Sequence, residues 1–179
     1  MVLRAKNKRM KAQDARALGY RTTGEVAESL GTTPRTVLHY EEMDLVTPKM
    51  SDGGTRFYSD FDVRRLEVCL MLSRLGVPLR VLTGLSTTRP ASRSGRESSH
   101  KLVPQLDELR EFLAAKLTAI DGMLDDLDLA REHIVACWEC PNRPTRSTCP
   151  DCPCETELSS SALLHLTWDF DRGADPKED

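Results

Sequence analysis

Between Pro104 and Ala136, apolar residues recur at steps of three and four: Leu106, Leu109, Leu113, Leu117, Ile120, Leu124 and Leu127, with Ile134 seven residues further on. Most of the charged residues in this stretch fall between them, the pattern of a single amphipathic helix. A helix of about 30 residues is roughly 45 Å long at 1.5 Å per residue. That is too long for a small neighbouring domain to cover. The stripe predicts a dimerisation helix over residues 100–136, with Pro104 in its first turn and the same helix of a second chain as its partner in a coiled coil. The alternative is a helix folded back on its own domain.

The rest of the composition sets bounds. Of the 179 residues 39% are hydrophobic, enough for a modest core. No apolar run approaches the roughly 18 residues needed to span a bilayer. The first twenty residues are basic and carry no apolar stretch, so no secretory leader and no membrane partner are expected, and the location is cytoplasmic. Charge is uneven: residues 1–85 hold fourteen Lys/Arg against ten Asp/Glu, and residues 86–179 hold eleven against eighteen. A basic amino-terminal half suits a polyanion and an acidic carboxyl-terminal half does not.

Residues 1–19, with Arg4, Lys6, Lys8, Arg9, Lys11 and Arg16, read as a basic, flexible arm. A domain over 20–85 follows, and its helix punctuation is legible. Thr22 and Glu25 have capping-box spacing before an apolar face of Val26, Ala27 and Leu30, and Gly31 ends that helix. Thr33 caps a second helix whose first residue is Pro34. Two helices, about 22–30 and 34–43, joined by a three-residue turn make a helix-turn-helix. The stretch Leu45–Tyr58 reads as two strands around the turn residues Ser51-Asp-Gly-Gly54, a wing. Ser59 with Asp62 caps a third helix to about Leu75. Gly76-Val-Pro78 breaks it, and a short helix to about Leu85 follows. Residues 86–99 are small and polar and read as a linker.

This order of parts resembles the mercury-resistance-regulator (MerR) family of bacterial transcription factors. The match rests on Thr22–Leu30, Thr33-Pro-Arg-Thr36, Tyr40-Glu41, Leu45 with Pro48, Gly54-Thr-Arg-Phe-Tyr58, Asp62-Val-Arg-Arg-Leu66, and Leu75-Gly76 with Leu79. Two positions depart from the family pattern. Leu38 stands where an arginine is usual, and Asp44 stands where a glycine normally closes the recognition helix; Asp tolerates a left-handed turn better than most residues.

The resemblance implies a mainly α fold: a winged helix-turn-helix DNA-binding domain, a long dimerisation helix in an antiparallel coiled coil, and a Cys-rich metal-binding loop. It also implies an inverted-repeat promoter element, double-stranded DNA, as the partner, a homodimer, and RNA polymerase as an indirect partner through reshaped promoter DNA. The recognition helix would enter the major groove by its amino-terminal end, presenting Thr33, Arg35, Thr36 and His39. Arg35 suits a base edge or a phosphate. Arg56 and Tyr58 in the wing, with Arg64 and Arg65 on the next helix, suit phosphate contacts. Tyr40 suits either the core or DNA.

Cys137-Trp-Glu-Cys140, eight residues, then Cys149-Pro-Asp-Cys152-Pro-Cys154 form a Cys-rich loop over 137–158, ahead of an acidic tail over 159–179. Two CxxC pairs give one metal four thiolates, and in a reducing compartment clustered cysteines point to metal before disulfide. Zinc is the expected metal. An iron–sulfur cluster is the alternative, because the resemblance puts a redox-sensing cluster at this place in some members. Cys154 could replace Cys152 as ligand or stand as a spare thiol. The expected protein is a regulator and not an enzyme, its cysteines sensing metal or a redox signal. One alternative keeps the regulator with a purely structural zinc and another effector. The other, a thiol–disulfide oxidoreductase, lacks the βαβ surroundings its cysteine pairs would need.

Overall fold

The computed structural model describes residues 11–141 and 158–167 of the chain. The elements are α1 (Ala12–Ala17), β1 (Arg21–Thr22), α2 (Thr23–Ser29), α3 (Pro34–Glu42), β2 (Lys49–Met50), β3 (Arg56–Tyr58), α4 (Asp60–Arg74), α5 (Leu79–Ala91), α6 (Gly95–Val135), a 3-10 turn (Leu158–Ser160) and α7 (Leu164–Thr167). The chain divides into two compact units, one up to Leu113 and one from Ala114.

In the first unit the expected caps are in place. Thr22 accepts the Glu25 N–H, and the Glu25 carboxylate accepts the Thr22 N–H at 2.7 Å, so both orphan donors are satisfied. Those bonds, the backbone one first, hold the Glu25 carboxyl below its ordinary pKa. Ser59 and Asp62 repeat the arrangement at the start of α4. Between α2 and α3, Gly31 takes φ +59° and the Thr32 N–H reaches back to the Ala27 carbonyl at 2.9 Å. Asp44 does the same job after α3 at φ +55°, and the Leu45 N–H bonds to the Tyr40 carbonyl. Each helix of the helix-turn-helix is therefore closed at its carboxyl end by a left-handed residue, one of them a non-glycine.

The wing strands pair antiparallel, Lys49 opposite Phe57 and Met50 opposite Arg56. A third strand extends them: Arg21 and Thr22 pair with Tyr58 and Phe57, giving the order β1-β3-β2. This ties the start of α2 to the wing. Val26, Val37, Leu45, Tyr58 and Leu66 lie at the centre of the core, and Leu109, Phe112 and Leu113 of α6 pack against its edge.

Three expectations are corrected here. Residues 86–99 are not a linker: α5 runs on to Ala91, and α6 begins at Gly95. The small hydroxyl residues bond to their own helix, Ser86 and Thr87 to the Thr83 carbonyl and Thr88 to that of Gly84. The Ser94 hydroxyl accepts the Glu97 N–H and the Glu97 carboxylate accepts the Arg93 N–H, so α6 starts at a side-chain cap. Pro104 consequently sits inside α6, beyond its first turn.

The basic arm is the second correction. Its residues 11–19 include the helix α1, with Ala15 fully buried; residues 1–10 lie outside the described residues. Third, the acidic tail is in part a packed segment. The Ala162 and Leu163 N–H groups donate to the two Asp126 carboxylate oxygens at 3.1 and 2.9 Å, and Leu164 and Ser161 are buried. The Ser161 hydroxyl, with those two amides behind it, holds the Asp126 carboxyl below its ordinary pKa. Residues 168–179 lie outside the described residues.

Candidate functional site

The recognition helix α3 turns Val37 and Tyr40 into the core, three residues apart on one face. The opposite side is left to Thr33, Arg35 and His39, all exposed, with Thr36 half-buried beside them. The Thr33 Oγ1 accepts the Thr36 N–H at 3.2 Å, and the two hydroxyls lie 2.9 Å apart, so this first turn is held rigidly. His39 lies 3.9 Å from the Glu42 carboxylate. Among the described residues Arg35 has no ion-pair partner. Four of the residues expected at the amino-terminal end of α3 thus share one surface, and Arg35 is the long cationic donor among them. Tyr40 does not join them: it is buried, and its hydroxyl donates to Ser73 Oγ at 2.9 Å.

The wing residues behave unequally. Tyr58 is fully buried, with its hydroxyl donating to Glu41 Oε2 at 3.3 Å. Burial, with the Glu41 carboxylate nearby, pushes its pKa up to about 12. Tyr58 is therefore a core residue of β3 and not a surface contact. Arg56, two residues earlier on the same strand face, donates from Nε to the same Glu41 oxygen at 2.6 Å while its side chain stays about 40% exposed. On α4, Arg64 is exposed, and Arg65 is half-buried with Nη2 on the Ser86 carbonyl at 3.0 Å. Both line an open groove of about 950 Å³ between α4 and α5, whose apolar walls include Phe61, Val68, Leu72 and Leu85. Cys69 lies at its floor, buried, and burial pushes its thiol pKa up, so it is a packing residue.

Glu41 is the residue whose role was not assigned from the sequence. Its place in a Tyr-Glu pair marked the family, but only the strand geometry puts Arg56 and Tyr58 on its carboxylate. Strand β1 was missed as well. Two residues are too few for a period of two to register.

Beyond α6 the chain turns at Cys137. Cys137 is half-buried and Cys140 exposed, and the Cys140 N–H donates to the Cys137 carbonyl at 3.1 Å. That turn brings the backbones of the two cysteines of the Cys-x-x-Cys pair together. Cys149, Cys152 and Cys154 lie outside the described residues, and among the described residues no three His, Cys, Asp or Glu side chains are grouped to hold a metal ion. Trp138, between the two cysteines, is 84% exposed and so does not shield them from water.

Comparison with known proteins agrees with this geometry. Residues 21–87 match the family of MerR HTH regulatory proteins. The HTH-type transcriptional activator TipA of Streptomyces coelicolor is 32% identical over 115 residues, covering 63% of this chain and 46% of that protein. The activator mta of Bacillus subtilis is 30% identical over 104 residues, covering 55% of this chain and 40% of that protein. This chain therefore spans less than half the length of those two relatives. The HTH-type transcriptional regulator YfmP of Bacillus subtilis is 31% identical over 118 residues, with 62% of this chain and 84% of that protein covered. Among solved structures, HiNmlR, a MerR family regulator lacking the sensor domain and bound to promoter DNA, has the same fold. Its TM-score is 0.60 at 16% identity, over 68% of this chain and 94% of that one. These relatives are regulators of transcription, which leaves the oxidoreductase alternative without support. Among the described residues no helix is long and apolar enough to cross a membrane.

Proposed function

Because the chain belongs to the MerR family of helix-turn-helix regulatory proteins, we propose that it is a cytoplasmic transcriptional regulator that binds an inverted-repeat promoter element as a homodimer. RNA polymerase then enters as an indirect partner. The observation that carries this reading is the outward face of α3, with Thr33, Arg35, Thr36 and His39 held on a helix whose other side, Val37 and Tyr40, is locked in the core. A helix presented this way fits the major groove, and Arg56, Arg64 and Arg65 would contact flanking phosphates.

One feature supports the dimer. On α6, Leu117, Ile120, Leu124 and Leu127 are each about half exposed, a stripe that no described residue covers fully.

The finer part of the proposal concerns the thiols. Cys137 and Cys140, with Cys149 and Cys152 and with Cys154 as a fifth thiol, would hold one metal centre per chain, zinc ahead of an iron–sulfur cluster. Such a centre supplies the positive charge without which four clustered thiolates are costly to hold together. Gathering the tract against the end of α6 would bias that helix end, and through it the DNA-binding units of the dimer, in response to metal or a redox signal.

Fluorescence anisotropy with an inverted-repeat duplex selected from random DNA tests the first part. Two chains per duplex are expected, and one chain per duplex contradicts the dimer. Elemental analysis of anaerobically purified protein tests the second. About one zinc, or about two or four irons, per chain is expected, falling sharply in Cys140→Ser. A protein with neither metal contradicts it.

A further inference from the structure

Two side chains from the wing converge on one oxygen of the recognition helix. Arg56 and Tyr58 stand two residues apart on β3, so their side chains leave the same face of the strand. Both donate to Glu41 Oε2, Arg56 through Nε at 2.6 Å and Tyr58 through its hydroxyl at 3.3 Å. Glu41 sits next to the carboxyl end of α3 and is largely enclosed, with a side-chain exposure of 22%.

The choice of donor matters. A guanidinium has five N–H donors in a planar fork, and an Nε contact spends one of them. The two terminal nitrogens, with four N–H groups between them, remain for another acceptor. A charge-assisted bond this short also removes the rotamer freedom that a long cationic side chain would otherwise lose on binding. The other anchor on that carboxylate, Tyr58, is fully buried and cannot move away.

We propose that Glu41 is a positioning residue for DNA: it holds the Arg56 guanidinium by Nε so that its terminal nitrogens are presented to a phosphate beside the major groove. This rests on the reading of α3 and the wing as the DNA-binding surface. It assigns a carboxylate, a group that phosphates repel, a favourable part in DNA binding. The reason is geometric: Glu41 acts through Arg56 and has no use without it.

The test is a double-mutant cycle on the full-length protein, with affinity for a random-sequence duplex read as a function of salt. Arg56→Ala should weaken binding about tenfold at low salt and reduce the salt slope by about 0.9, the share of one phosphate. Glu41→Ala should lose most of the same affinity and slope, and the double variant should be no worse than Arg56→Ala alone. Glu41→Gln keeps an oxygen that accepts from Nε and should restore binding to within about threefold of wild type. Arg56→Lys keeps the charge and the fold but has no Nε fork, so it should behave as Arg56→Ala does.

If Glu41→Ala binds as tightly as wild type or tighter, or if its effect adds in full to that of Arg56→Ala, the positioning role is wrong. A wild-type slope for Arg56→Lys would overturn it equally, and that variant does not depend on the Glu41 variants folding. If Arg56→Ala itself leaves affinity and slope unchanged, both this inference and the wing's place in the DNA-binding surface fall.

Discussion

The helix α6 carries the same apolar chemistry through both units of the chain, and the two units use it differently. Up to Leu113 the stripe is consumed at home: Leu109, Phe112 and Leu113 pack against a core whose central residues, Val26, Leu45, Tyr58 and Leu66, are essentially inaccessible to water. From Ala114 on, the same periodicity leaves Leu117, Ile120, Leu124 and Leu127 about half exposed, and the residues buried in the described part of the unit are Ala130, Ser161 and Leu164. Identical patterning therefore means a finished core in one region and an open surface in the other. Periodicity reports that a face will be buried; it does not report by what.

The sharpest way to test that contrast is to truncate one leucine on each side of the divide. Leu66→Ala removes a fully buried side chain from a packed core and should cost about 2–5 kcal/mol, read as a lower denaturant midpoint with loss of helix signal. Leu124→Ala, half exposed on a single chain, should cost little at protein concentrations below dimer dissociation. Equal losses for the two variants under those conditions would erase the distinction.

A charge on the open stripe asks the complementary question. Leu124→Glu should weaken self-association by about a hundredfold or more, because a carboxylate would be desolvated at the dimer seam. Light scattering should then find a species near the 20.1 kDa of one chain where wild type gives twice that. A wild-type protein that is already monomeric at micromolar concentration would break the reading of the stripe.

The caps give a smaller effect with the same geography. Thr22→Ala removes the acceptor for the Glu25 N–H and should cost the first unit about 1 kcal/mol. Asp126→Ala should leave that unit untouched and instead raise hydrogen exchange at the Ala162 and Leu163 amides, which it bonds. Acid should act in the same place. The Asp126 carboxyl is held below its usual pKa, so its contribution to docking 158–167 is fully present above the unfolded carboxylate pKa and is lost as pH falls through the lowered folded value. Tyr58 gives the opposite response. Its folded pKa of about 12 lies above the ordinary 10.0, so its contribution is complete below pH 10 and declines between pH 10 and 12. An ultraviolet titration that finds Tyr58 ionising at the ordinary 10.0 would contradict its burial.

The same contrast explains how much of the molecule the sequence discloses. The helix-turn-helix is legible because its signals are local: Thr22 with Glu25, Gly31, Thr33 with Pro34, and Asp44 each act within a few residues of where they stand. The stretch 86–99 misleads because serine and threonine mark loops on average, and here their hydroxyls bond to their own helix carbonyls. The Ser94–Glu97 spacing, a cap in the structure, is outweighed in the sequence by that composition. Tyr40, Glu41 and Tyr58 could not be sorted into surface and core from the sequence, since their roles depend on β3 lying across the carboxyl end of α3. The return of 158–167 onto α6 is set by one carboxylate, Asp126, more than thirty residues away, and no local pattern announces it.

The central claim is that the outward face of α3 reads DNA, and Arg35 is its long, exposed cationic donor. The most direct measurement is selection of bound duplexes from a random library by wild type and by Arg35→Ala at matched salt. The account predicts that wild type enriches an inverted repeat and that Arg35→Ala binds that repeat about 1–3 kcal/mol more weakly with relaxed preference at one position of each half-site. A wild type that enriches no sequence, or an Arg35→Ala variant that enriches the same repeat with unchanged affinity, would contradict it.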